Sequence, residues 1–167
     1  DHLCELDAAI GDGDHGANMQ RGSAALVDAM DRLAAKPLPE VLETIGEILV
    51  MHIGGASGPL YGTLFLETGR SMRLNGGAMD LVSAIGLAVD AVARRGRASI
   101  GDKTLLDVLY PVHQAFARGE TLNNITQTVI YAANLTIDMR AMRGRAAFLG
   151  DRSVGHLDPG AQSCALL

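Results

Sequence analysis

Apolar residues recur at intervals of three and four along most of this chain, and glycine-rich breaks separate the periodic stretches. That spacing predicts amphipathic helices rather than strands. Residues 1–9 read as the tail of a helix. Residues 17–35 (ANMQRGSAALVDAMDRLAA) form an Ala-rich helical stretch stopped by Lys36-Pro37-Leu38-Pro39. Residues 39–52 begin with Pro39 at a helix N-terminus and line up Val41, Ile45, Ile48 and Leu49 on one face. Residues 59–74 again begin with proline and carry Leu60, Leu64 and Phe65. Residues 78–95 space Leu81, Val82, Ile85, Val89 and Val92 helically, and 102–117 do so with Leu105, Leu106, Leu109, Val112 and Phe116. Residues 121–142 pose a conflict. Ile125 to Tyr131 is strand-like by propensity, yet Leu122, Ile125, Val129, Ala133, Thr136 and Met139 keep helical spacing over more length than a strand needs, which favours helix. A glycine-rich loop runs to Gly160, and a last helix follows. No repeat, low-complexity tract or linker interrupts the chain. The expectation is one all-α domain, residues 1–167, with about seven helices, antiparallel wherever the loops are short.

Composition supports a packed domain. Hydrophobic residues are 48% and charged residues 20% of 167, which excludes a disordered chain. The length allows a core without disulfide or metal staples. Gly numbers 20, aromatics are 4% and Trp is absent, so the core is built from small and aliphatic side chains that let backbones approach closely. A net charge of −5 argues against a nucleic-acid partner. No apolar run approaches the ~20 residues of a membrane span, so no membrane is implicated. Two cysteines, Cys4 and Cys164, suit free cytoplasmic thiols better than a secreted disulfide framework. The chain opens Asp1-His2-Leu3-Cys4 without an initiator Met and reads at once like the inside of a helix, so an upstream piece is expected to be missing.

Candidate chemistry concentrates in Leu6-Asp7-Ala8-Ala9-Ile10-Gly11-Asp12-Gly13-Asp14-His15-Gly16-Ala17-Asn18. Asp7, Asp12 and Asp14 crowd together, and the glycines between them permit sharp turns. Such carboxylates repel one another unless a cation fills the cluster. Hard divalent cations with oxygen ligands suit it, Mg²⁺ or Ca²⁺ first. An EF-hand loop from Asp12 fails, because its glycine and glutamate places hold Ala17 and Ser23. The literal G-x-G-x-x-G match lacks the buried strand a dinucleotide turn follows. A solvated acidic turn is the plain alternative.

A second small-residue run, Gly54-Gly55-Ala56-Ser57-Gly58-Pro59, precedes a helical stretch. It either offers free N–H groups to a phosphate or is a plain helix-to-helix turn. It is neither a Walker A loop nor a nucleophile elbow. In Gly101-Asp102-Lys103-Thr104, Lys103 or Thr104 can reach a phosphate, or Asp102 simply caps a helix. Arg143, Arg145 and Arg152 sit in the late loop, suited to phosphate charge or to solvent. No H-e-x-x-H pattern supports a zinc hydrolase. His15 lies beside the acidic loop, whereas His113, on an apolar face, reads as structural. Carboxylates, two small-residue loops and late arginines together match what phosphoryl transfer needs, which is positioning and charge neutralisation.

The runs LDAAIGDGDHGANM, GGASGPLYGT, GDKTLLDVLYP and GRAAFLGDRSVGHLDPGA resemble the DhaL family, the nucleotide-binding subunits or domains of dihydroxyacetone kinases. The resemblance covers nearly the whole chain in order. It implies a barrel of eight antiparallel amphipathic helices, of which about seven fall in this chain. It implies two Mg²⁺ held by Asp7, Asp12 and Asp14. It implies ADP or ATP lined by His15, Gly16, Ala17, Asn18, Ala56, Ser57, Gly96, Thr104 and Leu105, and closed over by Arg145 and Asp158-Pro159-Gly160. Arg145 would be the catalytic residue at the transferring phosphoryl. The implied partners are a dihydroxyacetone-binding kinase subunit, which carries the family's covalent substrate histidine, and a phosphotransferase-system phosphocarrier that rephosphorylates bound ADP in the cytoplasm. Two alternatives stay open: a domain of a kinase that uses exchangeable ATP, on dihydroxyacetone or a related sugar, and a non-catalytic nucleotide sensor. A Ca²⁺-binding structural domain is a third reading.

Overall fold

The computed structural model describes residues 1–74 and 80–167. All of its regular structure among those residues is helical: α1 (His2–Ile10), α2 (His15–Asp28), α3 (Met30–Ala34), α4 (Leu38–His52), α5 (Ser57–Leu74), α6 (Leu81–Gly96), α7 (Leu106–Ala117), α8 (Leu122–Leu135) and α9 (Pro159–Ala165). Two 3₁₀ segments, Thr136–Asp138 and Arg145–Ser153, fill the late loop. The expected all-α class is borne out. The chain clusters into two compact units, one of residues 1–17 and 97–167, the other of residues 18–96.

In the second unit α4 packs on α5, and α5 on α6. The close approach is made by glycines. A Cβ on Gly46 would lie 2.6 Å from Leu66 Cγ and 2.7 Å from the Gly62 carbonyl oxygen. The Gly62 and Gly69 positions are similarly filled, by Val50 and Gly46, and by Pro39 and Glu43. The small-residue composition therefore brings helix backbones together, as the sequence implies. Ala29, Leu33 and Ile48 form a buried cluster against which Ala25, Leu26, Val41 and Ile45 pack. Two of the four apolar residues expected on one face of α4, Ile48 and Leu49, are buried, and Val41 and Ile45 border that core. In the first unit Val108, Ala132, Ala133 and Ala161 form the cluster, bordered by Val112, Val129, Leu157 and Cys164.

Several boundaries differ from the periodicity. The stretch 17–35 is two helices, because the chain turns at buried Ala29. Helix α5 starts before its proline, at Ser57. The expected start of the 78–95 helix lies partly outside the described residues, and α6 runs from Leu81. Asp102 caps no helix. Helix α7 begins at Leu106, and the turn before it is closed instead by Asp107, whose carboxylate accepts from Gly101 N–H at 2.5 Å and Thr104 N–H at 2.7 Å. Phe116, expected on the buried face, is 39% exposed. The stretch 121–142 is helical rather than extended, but α8 stops at Leu135. There the carbonyls of Thr136 and Met139 turn away to meet the ammonium of Lys103. No helix among the described residues is long and apolar enough to cross a membrane.

Candidate phosphoryl-transfer site

Helix α1 ends in the acidic loop, and its last turn closes through Gly11 N–H donating to the Asp7 carbonyl at 2.5 Å. A Cβ on Gly11 would push against the Asp7 carboxylate and turn it out of its present position. Gly13 has φ +78°, a left-handed conformation that glycine adopts without cost. These two turns fold the loop back so that carboxylate oxygens of Asp7, Asp12 and Asp14 all lie within 4.8 Å of one another. Asp7 is half-buried, and Asp12 and Asp14 are exposed. Three oxygen donors at that spacing fit a hard divalent cation. Two contacts partly compensate this concentration of negative charge. The first N–H of α2, on His15, donates to Asp7 Oδ2 at 3.1 Å, which puts the positive end of a helix against the carboxylate. The guanidinium of Arg145 forms an ion pair with Asp12.

His15 is buried and does not face this cluster as a free base. Its Nε2 meets Ser163 Oγ at 2.8 Å, and Ser163 Oγ donates to the Gly160 carbonyl at 3.0 Å. The ring also hydrogen-bonds the Pro159 backbone, so it is tied to α9 at two points. Burial lowers the imidazole pKa, and the charges of Asp7 and Asp14 only partly oppose that. The ring is therefore an orienting element between α2 and α9, not a cationic ligand. Gly16 packs so tightly that a Cβ would come within 2.7 Å of Cys4 Sγ.

Asp158 caps α9, accepting from Ala161 N–H at 2.7 Å, and its own N–H donates to Thr136 Oγ1 at 3.0 Å. Burial pushes its carboxyl up to about 7, against the pull of the Ala161 N–H and of Lys103. Pro159 is buried beside it and Gly160 follows. Thr104 and Leu105 occupy the turn before α7, where Thr104 Oγ1 accepts from Leu106 N–H at 3.2 Å. Lys103 corrects the sequence reading. Its ammonium is buried, not aimed at a phosphate, and burial lowers its pKa.

In the second unit Asn18 is buried, and its Oδ1 accepts from the Arg21 guanidinium. A Cβ on Gly54 would meet that same Oδ1 at 2.5 Å, so the 54–57 loop lies directly on the Asn18 amide. Ala56 is exposed at the start of α5 and Ser57 is its first residue. Gly96 is the last residue of α6. The structure thus brings together Asp7, Asp12, Asp14, His15 and Arg145 within one unit, and Asn18 with the second glycine loop within the other. Sequence reasoning missed Ser163, Arg21, Thr136 and Asp107. Nothing in the spacing of Ser163, Thr136 and Asp107 announces them, because each is defined by a partner distant in sequence or by a turn, whereas Arg21 stands one helical turn from Asn18.

Comparison with known proteins adds a lineage to this geometry. The DAK2 domain family matches residues 9–167. The PEP-dependent dihydroxyacetone kinase 1, ADP-binding subunit DhaL, of Listeria innocua is 42% identical over 99% of this chain and 82% of its own length. The corresponding PEP-dependent ADP-binding subunit of Escherichia coli is 37% identical, over 98% and 82%. The dihydroxyacetone kinase of C. freundii, solved with AMP-PNP and Mg²⁺, superposes with a TM-score of 0.79 at 27% identity, covering 99% of this chain and 29% of that one.

Proposed function

The chain belongs to the DAK2-domain family, among the DhaL ADP-binding subunits of dihydroxyacetone kinases, and we propose that it holds a magnesium nucleotide and transfers its terminal phosphoryl group to dihydroxyacetone bound by a partner subunit. The observation that carries this is the convergence of Asp7, Asp12 and Asp14 oxygens within 4.8 Å. Those carboxylates hold Mg²⁺, two ions in this reading, and the metal supplies Lewis-acid neutralisation of the phosphate charge. His15, Gly16, Ala17, Asn18, Ala56, Ser57, Gly96, Thr104, Leu105 and the Asp158-Pro159-Gly160 turn keep the nucleotide-lining roles that the resemblance assigns them, within one domain, residues 1–167.

Each residue's part follows from its surroundings. Arg145 is exposed and already paired with a carboxylate of the cluster, so its guanidinium is placed to neutralise a phosphoryl group brought to that cluster. His15, kept neutral by burial and tied to Ser163, fixes the α2 N-terminus instead of moving a proton. No side chain of this cluster is assigned as general base, and the acceptor hydroxyl is activated on the partner's side. The PEP-dependence named for the Listeria and E. coli relatives supports retained ADP that a phosphotransferase-system phosphocarrier recharges in the cytoplasm. A second reading, exchangeable ATP, is favoured by the fold's occurrence as 29% of the longer C. freundii kinase.

The test is acid extraction of the dialysed protein followed by a coupled assay with the dihydroxyacetone-binding subunit. Retained ADP and PEP-driven turnover through the phosphocarrier are expected. No phosphoryl transfer from either PEP or ATP would overturn the reading in favour of a nucleotide sensor, and no nucleotide binding at all would favour a structural domain.

A further inference from the structure

Lys103 has no part in the phosphate chemistry above, yet it is costly to place. Its residue is 1% exposed and its backbone φ is +61°. Burying an ammonium is unfavourable unless every donor is satisfied, and a left-handed conformation is uncommon for a residue with a long side chain. Both costs fall on one residue. The compensation is complete. Nζ donates to the Thr136 carbonyl at 2.7 Å, the Met139 carbonyl at 3.2 Å and the His156 carbonyl at 2.5 Å. An ammonium has three donors, so none is left for a ligand.

The three carbonyls lie on either side of the segment that carries Arg145. From Met139 the chain runs past Met142, whose N–H donates to the Asp102 carbonyl at 3.0 Å, and Arg143, whose Nε donates to Asp102 Oδ2 at 3.1 Å. Gly144, at φ +64°, then turns the chain and Arg145 meets Asp12. At the other end, His156 stands two residues before Asp158, and Asp158 N–H donates to the hydroxyl of Thr136, whose carbonyl Lys103 holds.

We propose that Lys103 is a positioning residue for phosphoryl transfer: its buried ammonium clamps both ends of the loop between Met139 and His156, which holds Arg145 against the carboxylate cluster and fixes the Asp158-Pro159-Gly160 turn. The inference rests on the kinase reading above. Lys103 touches no substrate and acts through Arg145 and the turn. A methionine in its place leaves three carbonyls without their donor and frees both loop ends at once.

The test uses the reconstituted kinase with its dihydroxyacetone-binding subunit, and Lys103→Met made with and without Arg145→Ala. In the Lys103→Met protein kcat falls about tenfold or more, the scale of a misplaced charged group, while KM for dihydroxyacetone, which the partner holds, does not change. In the Arg145→Ala background the same substitution lowers kcat by less than about threefold, because interacting residues are non-additive. Additive effects, or an unchanged kcat, overturn the proposal. A second measurement does not depend on turnover. Hydrogen exchange of the amides in residues 139–145 and 153–160 quickens about tenfold in Lys103→Met, while that of residues 122–133 stays as it was. Unchanged exchange in the first two stretches refutes the clamp. Absent turnover by the unsubstituted protein refutes the kinase reading instead. If Lys103→Met does not fold, Lys103→Gln, which keeps two donors without the charge, is read by the same two measurements.

Discussion

Replacing Asp158 by asparagine should remove a loss of stability that the native chain undergoes as pH rises from about 4 to about 7. Asp158 is buried, and burial pushes its carboxyl up to about 7 from an ordinary 3.8, while the Ala161 N–H and Lys103 pull it down and Asp107 pushes it further up. In the unfolded chain the carboxyl titrates at its ordinary value. Between the two values the folded chain keeps a proton that the unfolded chain has released, so the folded state binds more protons and stability falls as pH rises. The contribution is fully present below the unfolded value and is gone above about pH 7. A separation of about three units, at about 1.4 kcal/mol per unit, makes this term about 4 kcal/mol. Asparagine keeps an acceptor for the Ala161 N–H and does not titrate. Urea unfolding followed by circular dichroism, at several pH values across that range, should give stability curves for the native and Asp158→Asn proteins whose separation changes by that amount between about pH 4 and about pH 7. Carbon NMR of the Asp158 carboxyl reports the midpoint directly. Parallel stability curves, or a midpoint near 4, would refute the argument that burial outweighs Lys103 and the helix cap.

Three further outcomes follow from the geometry. Asp12→Asn removes one of three converging oxygens and should weaken Mg²⁺-dependent ADP retention by about 100-fold, measured by calorimetry, with helicity unchanged; unaltered activity would sink the metal assignment. Arg145→Ala should lower kcat by about 10² to 10³ with little change in nucleotide affinity, and the opposite pattern would make Arg145 a binding residue only. Gly46→Ala gains about 1 kcal/mol of helix propensity but drives a Cβ to 2.7 Å from the Gly62 carbonyl oxygen, on backbone that cannot step aside. The net should be a destabilisation of about 1–3 kcal/mol, and a raised melting temperature would show that α4 and α5 separate easily.

The periodicity made most helices legible because one buried stripe per helix is all that period 3.6 encodes, as in Val41, Ile45, Ile48 and Leu49 on α4. It failed where a long-range polar contact decides a boundary. The spacing of Thr136 and Met139 continues the α8 pattern, yet their carbonyls go to Lys103 and the helix ends first. Asp102 looks like a cap because Asp before a helix often is one, but the turn is closed by Asp107, which sits inside α7. The acidic loop was legible for a different reason. Its three carboxylates are close in sequence, and the glycines that fold them together are written between them. Asn18 and Arg21, one helical turn apart, are local enough to be read, but the contact of Gly54 on Asn18 is not.

Lys103, in the turn before α7, and Arg145, in the late loop, show why residue type carries information that position does not. Lys103 is one of two side chains in its turn that the sequence offers to a phosphate and Arg145 is the expected catalytic residue, and the structure separates them by the geometry each head group satisfies. An ammonium is a compact charge with three donors, which three converging carbonyls saturate without any anion. A guanidinium has five donors in a plane, more than the Asp12 carboxylate can take up, so Arg145 retains donors for a second oxyanion while it stays paired. The same exchange of head groups would therefore fail in both places. An arginine at 103 would bury donors with no acceptors. A lysine at 145 would keep the charge beside Asp12 but lose the planar fork that addresses two oxygens together, so Arg145→Lys should retain nucleotide yet transfer phosphoryl slowly.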